Sequence, residues 1–431
     1  MADATGDQFT ERFTLAEVLS IGTELALGQS LDTNAAWIAQ RLAACGIRCR
    51  RHLTVPDEIE LIRDALVTAG RAADVIVATG GLGPTADDLT RQALAEATGS
   101  TLIEDATALA QIREFFRRRG REMPERNRVQ ALRPECARII ENPCGTAPGV
   151  QLQLGRAQCF ALPGVPSEMR AMFERDVAPR LRSVAGGSVI RSRILQTIGL
   201  PESELGARIA DLMTRGRNPE VGTTAELGVI GVRINATADS PAAADSLLDE
   251  AEREIRGRLG DAVFGQDDDT LAAAVGRLLV KRGATVCTAE SCTGGMIGAA
   301  LTDVAGSSRY FRGAVVAYAD ELKTAALGVS PESLRRFGAV SEPVARAMAE
   351  NARSRLHATY ALAVTGIAGP TGGDAEKPVG LVYLALAGPR GTVVREHRFG
   401  EDSDRYAIRV RTVRAALAAL RLELLHERTT G

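Results

Sequence analysis

A chain of 431 residues is longer than one ordinary hydrophobic core and predicts about two to four domains. Its apolar fraction of 45% and charged fraction of 25% are those of a folded globular protein, and a net charge of −2 argues against bulk electrostatic capture of nucleic acid or of an anionic membrane. No apolar run reaches membrane-spanning length, and the first residues lack the basic and apolar regions of a secretory signal, so the expectation is a cytoplasmic protein.

After a tail of residues 1–14, the segment 15–185 alternates short apolar strands with amphipathic helices. Val18-Leu19-Ser20-Ile21 predicts a strand, followed by a Gly-rich turn and a helix from Thr33 to Ala44. Arg48 to Val55 predicts a second strand and Glu58 to Ala69 a second helix. A third strand, Val75-Ile76-Val77-Ala78, runs straight into Thr79-Gly-Gly-Leu-Gly-Pro-Thr85. This βαβαβ order implies an α/β domain with a mostly parallel sheet covered on both faces. Ligands of such sheets bind beyond the carboxyl ends of the strands, where both Gly-rich turns fall.

The texture changes over 186–265. Strand-like stretches (Ile190 to Ile198, Leu227 to Ala236) alternate with helices around Glu202 to Met213 and Ala242 to Leu259, as in a small α+β module. Asp267-Asp-Asp269 then opens a helix over Leu271 to Lys281, which sets the last domain at 266–431. That domain is again α/β, with strands predicted at 284–289, 313–318, 359–364, 379–387 and 392–398 and a long helix from Asp404 to Leu425.

Three residue types narrow the chemistry. Seven cysteines form no Cys-x-x-Cys pair and no zinc spacing, which fits reduced and mostly buried thiols. None of the four histidines lies in a Gly-rich segment, which weakens any Ser-His-Asp proposal. Of 52 basic residues only Lys281, Lys323 and Lys377 are lysines. Arginine cannot give up its proton in a protein, whereas a desolvated lysine can act as a base. Lys323 follows soon after Thr288-Ala-Glu-Ser-Cys-Thr-Gly-Gly295, so a serine/lysine hydrolase is one reading and a surface lysine near a helix end is the other.

Ala284-Thr-Val-Cys-Thr-Ala289 predicts a strand that ends at Glu290-Ser291, with Thr293-Gly-Gly295 opening the next helix. Such a turn projects Ser291 at the sheet edge and aims the free N–H groups of the helix start at the same space, where they can hold a phosphate or an oxyanion. Ser291 and Thr293 as ordinary helix caps is the alternative. A second Gly-rich strand end, Thr365-Gly-Ile-Ala-Gly-Pro-Thr-Gly-Gly373 followed by Lys377-Pro-Val-Gly380, favours a nucleotide or phosphate pocket, although no Walker A spacing is present.

Residues 269–425 resemble the C-terminal domain of the CinA (competence/damage-inducible) family, the nicotinamide mononucleotide deamidases. The matching motifs are Ala-Glu-Ser-Cys-Thr-Gly-Gly at 289–295, Ala-Gly-Ser-Ser at 305–308, Tyr318 with Lys323, Gly338-Ala-Val-Ser-Glu342, Thr365-Gly-Ile-Ala-Gly-Pro370 and Lys377-Pro-Val-Gly380. The resemblance implies metal-free hydrolysis of the carboxamide of nicotinamide mononucleotide to nicotinate mononucleotide and ammonia. Ser291 would be the nucleophile, Lys323 its general base, and Tyr318 would bond to the nucleophile or stack near the substrate. Thr293, Gly294, Gly295, Thr365, Gly366 and Gly369 would shape the pocket. Arg409 is the candidate for the substrate phosphate, weighed against an ordinary surface arginine. Cys292 is a rival nucleophile, with no histidine near it in sequence.

Gly22-Thr-Glu-Leu-Ala-Leu-Gly28, Asp32-Thr-Asn34, Thr79 to Thr90, Gly145-Thr-Ala-Pro-Gly149 and Leu162-Pro-Gly-Val-Pro-Ser-Glu168 together resemble the molybdopterin-binding-like N-terminal domain of the same family. That domain is associated with metal-dependent hydrolysis of ADP-ribose. Asp87 and Asp88 either cap the helix that follows them or present carboxylates to a divalent metal bridging a pyrophosphate. The middle module resembles the KH-like domain of these proteins. Its Gly-x-x-Gly at Gly228 to Gly231 lies in an apolar run without a basic residue between the glycines, which disfavours nucleic-acid binding there. The resemblance further implies a homodimer. A non-catalytic competence or damage factor is the remaining alternative.

Overall fold

The computed structural model describes residues 13–185, 189–400 and 403–426. These fall into two compact units, one running to Arg191 together with Asn235–Leu248, the other taking Ser192–Ile234 with the residues from Asp249 onward.

The N-terminal segment holds β1 (Leu15–Ile21), β2 (Arg48–Val55), β3 (Val75–Thr79), β4 (Leu102–Glu104), β5 (Leu132–Pro134), β6 (Arg138–Ile140), β7 (Gly149–Leu154) and β8 (Ala157–Leu162). Six of them form one sheet in the order β2-β1-β3-β8-β7-β6, parallel from β2 to β8 and antiparallel at β7 and β6. Side chains alternate across each strand, so Val18 joins Ile38, Leu42 and Val77 on one face while Leu19 and Ile21 join Ile62, Leu66 and Ile76 on the other. The helix Thr33–Ala44 starts as expected, with Asp32 accepting from the Ala35 N–H at 2.9 Å. The first strand begins earlier than the apolar run suggests. Glu17 interrupts that run in sequence, yet its carboxylate is buried against Arg51, Nη2 to Oε2 2.6 Å.

The middle segment contributes β9 (Val189–Ile198), β10 (Glu220–Glu226), β11 (Val229–Ala238) and β12 (Val263–Gln266), ordered β10-β11-β9-β12. Two of these, β10 and β12, are not evident in sequence because β10 is polar and largely exposed and β12 is only four residues long. The helix expected to reach Met213 ends at Arg208, and Ile209 and Leu212 continue as buried turn residues. Gly228 (φ +92°) lies in the hairpin turn between β10 and β11 and Gly231 inside β11, so this Gly-x-x-Gly does not join two helices.

The last domain carries β13 (Val286–Glu290), β14 (Phe311–Val316), β15 (Tyr360–Gly366), β16 (Leu381–Gly388) and β17 (Gly391–Arg398) in one sheet, ordered β14-β13-β15-β16-β17. The first three run parallel and the last two antiparallel. Helices Leu271–Arg282 and Arg405–His426 pack on one face with Val286, Leu362 and Leu384. Helix Glu342–Arg355 covers the other with Cys287, Ala289 and Ala363. Among the described residues no helix is long and apolar enough to cross a membrane.

Candidate active site

In the order β14-β13-β15 the chain leaves β13 to one side and returns on the other, which opens a crevice at the carboxyl ends of these strands. Ser291 sits there. Its N–H donates to the Val364 carbonyl at the end of β15 (3.0 Å), and the Ala317 N–H after β14 donates to the Glu290 carbonyl (2.9 Å). Ser291 also continues the alternating row Cys287–Ala289, whose neighbours include Ala317 and Leu327 on the β14 side. Only 8% of its surface is exposed.

Lys323 lies in the first turns of helix Asp320–Leu327, which follows β14 at this same edge, and is 1% exposed. Its Nζ donates to the Tyr318 carbonyl (3.0 Å) and to Asp320 Oδ1 (3.1 Å). The other two lysines differ: Lys281 is exposed, and Lys377 donates to the Phe337 carbonyl at 2.7 Å, closing a helix end. Tyr318 is 58% exposed. Its hydroxyl accepts from Arg405 Nη2 at 3.0 Å, while Arg405 Nη1 donates to the Gly369 carbonyl at 2.7 Å. Arg405 thus ties the loop after β14 to the Gly-rich loop after β15. Nothing in its spacing separates it from the other arginines of the last helix. Arg409, one turn on, donates from Nη2 to the Thr293 carbonyl at 2.8 Å, and its buried Nε has no partner.

The turn after Ser291 departs from expectation in one respect. The helix starts at Met296 behind Gly295, and the N–H groups of Ile297 and Gly298 donate to the Glu290 carboxylate at 2.9 and 2.8 Å. Those amides are therefore unavailable to an anion from outside, and neither Ser291 nor Thr293 caps the helix. The Thr293 hydroxyl also donates to Glu290 (2.7 Å), and the Thr365 hydroxyl donates to the Ala339 carbonyl (2.9 Å), so both threonine side chains are already engaged. The amides of Cys292 and Thr293 face the Cys292 thiol, and that of Gly295 makes no backbone hydrogen bond among the described residues. Gly294 and Gly295 hold positive φ values of +61° and +95°, which lets the chain turn this tightly. Gly366 serves packing instead: a Cβ there would lie 2.6 Å from Val382 Cγ2 and 2.7 Å from the Leu381 carbonyl.

Cys292 points elsewhere. It is 5% exposed and packs with Ala368, Val382 and Ile408. Burial, aided by the Glu290 charge, pushes its thiol up to about 11, so the nucleophilic thiolate is scarce near neutrality.

A cavity of about 550 Å³ occupies the corresponding position in the N-terminal domain, beyond the ends of β1, β3 and β8. Six carboxylates line it (Glu24, Asp32, Asp57, Asp87, Asp88 and Glu168) and no Lys, Arg or His does. Asp88 holds its own loop: Oδ1 accepts from the Gly83 N–H (2.6 Å), and Oδ2 from the Thr85 N–H (2.8 Å) and hydroxyl. Asp87 is exposed, its carboxyl kept below the usual value by the Thr85 hydroxyl. Among the described residues no three of His, Cys, Asp and Glu are grouped to hold a metal ion. Asp87 and Asp88 do not by themselves make the oxygen cage that a resident divalent ion requires.

Three family models match the chain: the CinA C-terminal domain over residues 268–424, the probable molybdopterin binding domain over 17–183, and the damage-inducible protein CinA KH domain over 192–265. A CinA-like protein of Gloeobacter violaceus is 48% identical over 419 residues, covering 96% of this chain and 98% of that protein. A CinA-like protein of Geobacter sulfurreducens is 46% identical, covering 94% and 98%. A crystal structure of the competence/damage inducible protein CihA from Agrobacterium tumefaciens is 45% identical, with a TM-score of 0.35 and coverage of 37% of this chain and 98% of that one. With matches over all three domains and near-full-length relatives, the chain belongs to the CinA family.

Proposed function

We propose that the last domain is an amidohydrolase that converts nicotinamide mononucleotide to nicotinate mononucleotide and ammonia. The observation that carries this reading is a buried serine at the end of β13 and a buried lysine on the helix that follows the neighbouring strand β14, in a chain with only three lysines among 52 basic residues. Ser291 Oγ attacks the carboxamide carbon while its proton passes to the Lys323 amine. The tetrahedral centre collapses with C–N cleavage, and Lys323 returns the proton to the departing nitrogen, which leaves as ammonia. Water then adds to the Ser291 ester, Lys323 takes its proton, and the acid is released with the serine restored. The Gly295 amide, which makes no backbone hydrogen bond among the described residues, is the donor assigned to the developing oxyanion. Arg409, with Nε unpaired, and Arg405 are the cations at hand for the substrate phosphate. Equal yields of ammonia and nicotinate mononucleotide in the presence of a chelator are expected, and absence of both would contradict the assignment.

A second activity has its own observation. The N-terminal cavity has six carboxylates and no cationic side chain, so a pyrophosphate enters it only with its charge covered by a divalent cation it brings along. ADP-ribose as its divalent-cation complex is the substrate we assign, with Asp87, exposed at the cavity wall, as a carboxylate placed to meet the cation. AMP formation that stops on chelation, while ammonia release continues, is the expected result; AMP formation without metal contradicts it.

A further inference from the structure

Among the described residues of the last domain Glu290 is the only fully buried carboxylate, at 0% exposure, and the mechanism above gives it no task. Its four hydrogen-bond partners span the strand, the turn and the helix. Oε1 accepts from the Thr288 hydroxyl (3.0 Å) and the Gly298 N–H (2.8 Å); Oε2 accepts from the Thr293 hydroxyl (2.7 Å) and the Ile297 N–H (2.9 Å). All four are neutral donors, and the two amides belong to the positive end of the helix Met296–Thr302, which has no side-chain cap of its own. Only a carboxylate fits these donors. A glutamine would place its NH₂ where one oxygen stands, and whichever way the amide flips that NH₂ faces a backbone N–H. A hydroxyl can turn round to accept; an N–H cannot.

The consequence falls on the two residues that follow. Thr293 is pinned by its hydroxyl, and Ser291 by its N–H to Val364, so the single residue between them has little freedom. Cys292 is thereby turned into the cluster of Ala368, Val382 and Ile408, and Ser291 lies at the crevice. We propose that Glu290 is a positioning residue that selects Ser291 over Cys292 as the nucleophile, by locking the turn with the thiol packed inward. Its charge acts in the same direction, adding to burial in keeping that thiol protonated. The kinetic side of this inference rests on the deamidase reading; the thiol side does not.

The test compares full-length protein with Glu290→Gln and Thr293→Val, with far-UV circular dichroism to establish folding. Two rates are read: alkylation of Cys292 by iodoacetamide, mapped by peptide mass, and ammonia release from nicotinamide mononucleotide. In Glu290→Gln, Cys292 alkylation rises about tenfold and kcat falls about tenfold with KM within about twofold, the loss of one buried hydrogen-bond match. Thr293→Val removes a single donor and moves the alkylation rate the same way by about threefold. Wild-type alkylation rates in the folded variants overturn the proposal whatever the kinetics. If Glu290→Gln does not fold, Thr293→Val decides. If the wild type releases no ammonia, the deamidase reading fails and the alkylation rates still decide the role of Glu290.

Discussion

Ser291→Ala lowers ammonia release from nicotinamide mononucleotide by about 10⁴-fold or more, and Lys323→Ala by about 10³-fold, because a hydroxyl without its base is a poor nucleophile and a base without its hydroxyl has nothing to activate. The double variant is no worse than Ser291→Ala alone, since the two act as one unit. Lys323 is 1% exposed, so Lys323→Ala leaves a cavity; Lys323→Met keeps the volume and separates lost chemistry from lost packing. Cys292→Ala supplies the contrast and retains activity within about threefold, because the thiol packs away from the crevice and is mostly protonated. Steady-state ammonia assays on the five variants check the set. Comparable losses in Cys292→Ala and Ser291→Ala would move the nucleophile to the thiol.

The second large effect lies in the other α/β domain. Gly80 follows β3 with φ +107°, and a Cβ added there would stand 2.1 Å from the Ile21 carbonyl oxygen on the neighbouring strand. Neither the backbone angle nor the space admits a side chain, so Gly80→Ala costs about 3–5 kcal/mol of N-terminal stability. The chain has a single tryptophan, Trp37, packed edge-on against Phe173 at 5.5 Å within this domain, so its fluorescence reports on this domain's unfolding. A lower denaturation midpoint by Trp37 fluorescence, with ammonia release unchanged, is the expected pair of results. An unchanged midpoint would mean that the β1–β3 edge yields more easily than its geometry implies.

Much of the architecture is legible in the residues because apolar runs and Gly-rich turns carry it. The strands Val75–Thr79 and Tyr360–Gly366 are continuous apolar runs ending in glycine-rich turns, and both fall where expected. What stays hidden depends on partners that strand and helix periodicity does not bring together. Glu17 reads as a polar interruption until Arg51 is placed beside it on the adjacent parallel strand. Glu290 reads as the polar end of a strand, and its burial follows only from the helix start that folds back over it. Arg405 reaches Tyr318, 87 residues away, and Gly369, 36 away, contacts that no spacing announces. Asp88 reads in sequence as a helix cap or a metal ligand; its oxygens bind the Gly83–Thr85 loop instead of the helix start. Ser291, Lys323 and the turn glycines carry a local signal, and they converge on one sheet edge.

The most direct measurement is the site of the covalent intermediate. Full-length protein turning over nicotinamide mononucleotide is quenched in acid, digested and mapped by mass. An acyl ester, substrate minus ammonia, is expected on the peptide carrying Ser291 and absent from Ser291→Ala. The same adduct on Cys292, or turnover by Ser291→Ala at the wild-type rate, would contradict it.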